Sequence, residues 1–120
     1  MTLKATRFHG TAVSHRVVLQ DDAKATLNSN LGHAGGTLLS VIVETGVVAD
    51  AYVKIFDGNF PSIGTSTPQL IFRCAKGTTE AYELPDGFVF TNLHAWATKN
   101  ADPLDTTNPS STTKVTLLIG

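Results

Sequence analysis

From Leu38 to Ile119 the chain is a train of short β-branched and aromatic runs, and turn residues separate almost every pair. The runs are TLLSVIVET, AYVKIF, QLIFRCA, EAYEL, FVFTNLHAWA and KVTLLI. Gly46, Asp57-Gly58, Pro61, Pro68, Gly77 and Pro85-Asp86-Gly87 punctuate them. Several such strands at regular spacing read as an all-β sandwich or barrel; the fold expected is an antiparallel β-sandwich, jelly-roll-like. The patterning sharpens after residue 37. The sequence therefore divides into residues 1–37, an N-terminal arm or extra strands, and residues 38–120, the β-sandwich domain.

Within the sandwich, alternation assigns faces. In TLLSVIVET, Leu39, Val41 and Val43 are expected on one side and Ser40, Ile42 and Glu44 on the other. In AYVKIF, Val53 and Ile55 oppose Tyr52, Lys54 and Phe56. The mixture predicts one face in the core and the other partly covered by another subunit. KVTLLI places Val115, Leu117 and Ile119 on one face and reads as a paired strand. Further upstream, Val13, His15, Val17 and Leu19 alternate as a half-buried strand. Asp21-Asp22 could cap a short helix over 23–31, but Thr26, Asn28, Ser29 and Asn30 suit an irregular loop equally well. His33 to Gly36 reads as a joint.

A length of 120 residues gives one domain, able to bury roughly two-thirds of its unfolded surface. Net charge is −1 with no basic stripe, so nucleic-acid binding has no electrostatic footprint. Only 16% of residues are charged, which suits neutral protein or carbohydrate contact better than ionic steering. No stretch approaches membrane-spanning length and no signal-peptide pattern opens the chain, so a soluble protein made in a cytoplasm is expected, with no membrane partner.

The side chains that carry chemistry form no constellation in the sequence. His9, His15, His33 and His94 lack metal-ligand spacing. Asn100, Asp102 and Asp105 superficially suggest a calcium loop, but the oxygen donors do not alternate and no closing glutamate follows, so a turn-rich surface loop is expected. The single cysteine, Cys74, shares a face with Leu70 and Phe72 and reads as a small buried hydrophobe. No nucleophile elbow, Walker loop or dinucleotide fingerprint occurs. The expectation is a non-enzyme with no catalytic residue, cofactor or metal.

Contact residues are the remaining functional signal. The connections 57–68 and 99–111 exceed what hairpins require, and loops of that length are often binding elements. Phe60 and Ile63 lie in the first. Trp96 shares a strand face with His94, with Leu93, Ala95 and Ala97 opposite; a core position is the commoner case, and an exposed indole would anchor an interface or stack on a sugar. Tyr52, Phe60, Ile63 and Trp96 are the candidate interface residues.

From Ala51 to Gly120 the order of elements resembles small structural proteins of tailed bacteriophages. The pattern is the strand Y-V-K-I-F-D-G (52–58), the loop P-x-I-G-T-x-T-P (61–68), an apolar strand (70–74) and a polar hairpin (78–84). P-x-G-F-x-F-T-x-L (85–93), a D-x-T-T-rich loop (105–111) and V-T-L-L-I (115–119) complete it. The resemblance implies a virion component, a capsid decoration (cement) protein. Such a protein binds the outer surface of the major capsid protein as a homotrimer and stabilises the head. A tail, neck or fibre-associated protein, or a carbohydrate-binding receptor module, are the alternatives.

Overall fold

The computed structural model describes residues 7–8, 11–12, 16–28 and 35–120. Among the described residues there are nine strands and no helix. They are β1 (Arg7–Phe8), β2 (Thr11–Ala12), β3 (Arg16–Gln20), β4 (Gly36–Thr45), β5 (Ala51–Asp57), β6 (Leu70–Cys74), β7 (Thr79–Phe90), β8 (Leu93–Thr98) and β9 (Thr113–Ile119). β1 and β2 pair with each other. The rest make two antiparallel sheets, ordered β3-β9-β4-β7 and β6-β5-β8.

The two sheets share one apolar core, as strands with one face turned inward must. Leu38, Val41, Val43, Val115, Leu117 and Ile119 from the first sheet meet Val53, Ile55, Leu93, Ala95 and Ala97 from the second, all nearly or fully buried. Each such aliphatic side chain contributes about 1.5–3 kcal/mol relative to leaving it exposed. The ring of Tyr82 on β7 packs 5.1 Å from that of Phe72 on β6, closing one side of the sandwich. Cys74 belongs to this core and is fully buried, its Sγ 3.3 Å from Val43 O.

Several expectations are met, and others are corrected. Val115, Leu117 and Ile119 do share the inner face, and β9 is an interior strand between β3 and β4. The face assigned to Leu39, Val41 and Val43 is wrong at its first residue. A β-bulge between Leu38 and Ser40 leaves Leu39 without a register partner, so Leu38 joins Val41 and Val43 in the core.

Pro85-Asp86-Gly87 does not separate two strands. It is a wider bulge inside β7, where Glu83 pairs with Ser40 and Phe88 with Leu38, leaving four residues opposite one. Gly87 (φ +72°) permits it, because a Cβ there would stand 2.3 Å from Thr37 Cγ2. Conversely, the run FVFTNLHAWA is broken at Thr91-Asn92. No local Gly or Pro makes this turn: Asp57 Oδ1 does, accepting Thr91 N and Asn92 N at 2.9 Å each.

Of the segment 1–37, β3 is an edge strand of the larger sheet, paired along its length with β9. Residues 21–28 are turn and extended chain rather than helix, anchored by Ala23 N donating to Thr113 O. They run along the outer edge of β8, where Ala97 N donates to Lys24 O and Asn28 exchanges two hydrogen bonds with Ala95. His9, Val13, His15, Leu31, His33 and Ala34 lie outside the described residues.

Candidate interface at the two long loops

Register between β5 and β8 places Tyr52 opposite Thr98, Lys54 opposite Trp96 and Phe56 opposite His94. These six residues occupy the face turned away from the core, as alternation from Val53 and Ile55 requires. That face is not open, however. Lys54, His94, Trp96 and Thr98 are each 0–1% exposed. The expectation that a neighbouring subunit covers it is corrected here: the loops 57–68 and 99–111 of the same chain fold back over it.

The second loop is built from its own side chains. Asp105 accepts Asn100 N and Thr107 N, Asp102 accepts Leu104 N, and Thr98 Oγ1 donates to Asn100 O. The carboxylates are thereby committed to the loop's own backbone, the turn-rich arrangement expected from the sequence. Among the described residues no three His, Cys, Asp or Glu side chains converge on one point. The Lys54 ammonium donates to Asp102 O from beneath. Burial pulls its pKa below the ordinary lysine value, against the attraction of Asp105 and Asp102. For Asp105, burial opposes ionisation, but the hydrogen bonds from Asn100 and Thr107 together outweigh it and hold its pKa below the usual carboxylate value.

The first loop is braced at both ends. Asp57 N donates to Gln69 Oε1 and Gln69 Nε2 to Asp57 O, while Gly58 N donates to Asn92 O. Ser62 O accepts Thr65 N and Ser66 N in the middle. Gly64 (φ +95°) presses against the second loop so closely that a Cβ would lie 2.8 Å from Thr106 Cγ2. His94 Nε2 donates to Gly58 O at 2.9 Å, since a carbonyl can only accept. Neither His94 Nδ1 nor Trp96 Nε1 has a hydrogen-bond partner among the described residues.

The four candidate contact residues end up in different settings. Phe60 is 75% exposed, with its ring tilted 5.4 Å from the His94 ring. Ile63 and Tyr52 are half-buried, and Tyr52 stands opposite Arg73 of β6 in the sheet register. Trp96 is 1% exposed and offers no surface. Sequence reasoning missed Lys54, whose place among nominally solvent-facing residues gave no sign of burial. It also missed the exposed apolar residues Val47, Val48, Val89 and Leu104. Val47 and Val48 sit in the β4–β5 turn, and adjacent valines beside Gly46 were the available signal.

No protein-family model matches the chain. A search of curated proteins likewise returns no match. Among solved structures, the coat protein of tobacco streak virus is similar at 12% identity, over 88% of this chain and 85% of that one, with a TM-score of 0.41. A likeness that distant carries no argument about what this chain does.

Proposed function

We propose that this chain is a virion structural protein, a capsid decoration protein of the tailed-phage type that binds the outer capsid surface as a homotrimer and reinforces the head. Two things support the reading: the order of elements in residues 51–120, and the way Phe60 is presented. A phenylalanine 75% exposed on a loop tied at both ends is an apolar knob held ready for a partner. Its backing, the fully buried His94 bonded to Gly58, keeps it from collapsing inward. Ile63 lies on the same loop as Phe60 and extends the contact in this reading, whereas Tyr52 lies four residues before Phe56 on β5 and would meet a partner separately. Part of the segment 1–37 serves as an arm onto a neighbouring subunit, and threefold repetition multiplies each modest contact.

The test is light scattering on the purified chain, followed by co-sedimentation with undecorated capsids of the phage that encodes it. A trimer that saturates capsids in many copies, with capsid binding lost in Phe60→Ser at unchanged melting temperature, is the expected result. A monomer that leaves capsids bare would overturn the proposal. Binding of a few copies at one vertex would move the chain to the tail or neck. The carbohydrate-module alternative loses its main platform, since the Trp96 indole is buried.

A further inference from the structure

The chain carries two Asp-Gly dipeptides, Asp57-Gly58 and Asp86-Gly87, and the fold treats them in opposite ways. Asp-Gly is the dipeptide most open to backbone rearrangement, because glycine puts no Cβ in the way of its own nitrogen. At Asp57-Gly58 both reacting groups are occupied. The carboxylate accepts Thr91 N and Asn92 N, and Gly58 N donates to Asn92 O at 3.1 Å. The backbone on either side is clamped to the Gln69 amide.

Asp86 is exposed, and its carboxylate has no hydrogen-bond or ion-pair partner among the described residues. It lies in the β7 bulge, where residues 84–87 have no register partner on β4. Gly87, at φ +72°, is held outside the regular strand conformation.

We infer that Asp86-Gly87 is a site of spontaneous isoaspartate formation in the folded protein and that Asp57-Gly58 is protected from it. Gly87 N, losing its proton, attacks Cγ of the protonated Asp86 carboxyl group. The Cγ–OH bond breaks, water leaves, and a five-membered succinimide forms. Water then adds to one of the two ring carbonyls. Opening at one restores aspartate; opening at the other leaves the chain running through the β-carbon, as isoaspartate. One water is lost and one regained, and nothing is oxidised or reduced. The extra backbone carbon falls where the ladder is already interrupted, so the flanking pairs Glu83–Ser40 and Phe88–Leu38 need not break. This inference is independent of the proposed capsid role.

The experiment ages the full folded chain for weeks in warm neutral buffer and maps its peptides by electron-transfer fragmentation, which distinguishes isoaspartate from aspartate. A parallel sample is aged in urea. In the folded chain isoaspartate is expected at 86 and about tenfold less or lower at 57, a ratio that the loss of the Asp57 hydrogen bonds in urea brings close to one. An isoaspartyl methyltransferase with labelled methyl donor gives an independent count of the product. Asp86→Glu, which keeps the charge but disfavours the five-membered ring, should abolish the methyl-accepting signal in the folded chain. Absence of isoaspartate at 86 in the folded chain, or equal amounts at 57 and 86, overturns the inference.

Discussion

Lys54 on β5 stands directly across from Trp96 on β8, on the side of the sheet away from the hydrophobic core, and both are essentially without solvent contact. A cation in such a place is tolerated because its ammonium reaches Asp102 O and because Asp105 and Asp102 lie near. The two-loop layer thus has an interior of its own, polar where the main core is apolar.

Truncating Lys54 should be costly and replacing it by an apolar chain of similar length should not. Lys54→Ala removes the buried stem and the donor to Asp102 O, and should lower stability by about 2–4 kcal/mol. Lys54→Met restores the volume and removes a desolvated charge, and should cost about 1 kcal/mol or less, or stabilise. Urea unfolding of both variants decides it. Equal losses would mean that the charge, not the packing, holds the layer.

The same lysine gives the alkaline limb a sign. Its folded pKa is lowered, so the protonated form is a net cost at neutral pH, and that cost disappears as pH rises from the folded value towards 10.5. Stability from this group therefore increases over that window, and the increase should be missing in Lys54→Met. Tyr82 acts in the opposite direction. Burial raises its pKa, with Glu80 adding to the shift, so its contribution is intact below 10.0 and is lost as pH climbs through the higher folded value. Stability curves of Lys54→Met and Tyr82→Phe against pH separate the two.

On the acid side Asp105 dominates the second loop. Its lowered pKa means that its contribution is present above 3.8 and is lost as pH falls through the folded value. Asp105→Asn should be less stable than the parent at neutral pH and should show a shallower acid limb. Chemical unfolding at several pH values checks both slopes.

Gly87 should resist substitution for two separable reasons. Gly87→Ala sets a Cβ 2.3 Å from Thr37 Cγ2 and forces a side chain into φ +72°, costing about 2–4 kcal/mol in total. Adding Thr37→Ser removes the methyl group and should recover the steric part, leaving about 1 kcal/mol of backbone strain. If the double variant is no better than the single one, the clash is absorbed elsewhere.

Cys74 should be silent towards thiol reagents in the native state. It is fully buried, with Val43 O and Thr78 O within 3.4 Å of Sγ. Labelling should proceed only through opening of the sandwich, at a rate that rises with denaturant in step with loss of stability. Rapid labelling of the folded chain would place β6 outside the cooperative unit.

What could be read in advance follows the range over which each feature is determined. Alternation in Val53, Ile55, Val115, Leu117 and Ile119 is a property of neighbours along the chain, and those residues are in the core as expected. The shared face of His94 and Trp96 was legible for the same reason. Leu39 defeated the alternation because a bulge is set by pairing with β7 and β9, which no local pattern reports. The turn at Thr91-Asn92 depends on Asp57, more than thirty positions earlier, and carries no Gly or Pro of its own to announce it. Pro85-Asp86-Gly87 has the composition of a hairpin and the geometry of a bulge, a distinction fixed by Thr37 and Leu38 on the opposing strand. The long loops were legible from their length, and Phe60 is exposed on the first of them. Burial of Trp96 and Lys54 was hidden because the covering segments return from elsewhere in the chain.

The placement of β9 between β3 and β4 has a consequence for biosynthesis. A ribosome releases β3 and β4 long before it makes the strand that joins them, so each waits with an unsatisfied edge while the intervening residues are translated. The larger sheet cannot close until that late strand threads into the gap between two earlier ones, which makes folding slow and leaves the nascent polypeptide open to off-pathway strand pairing.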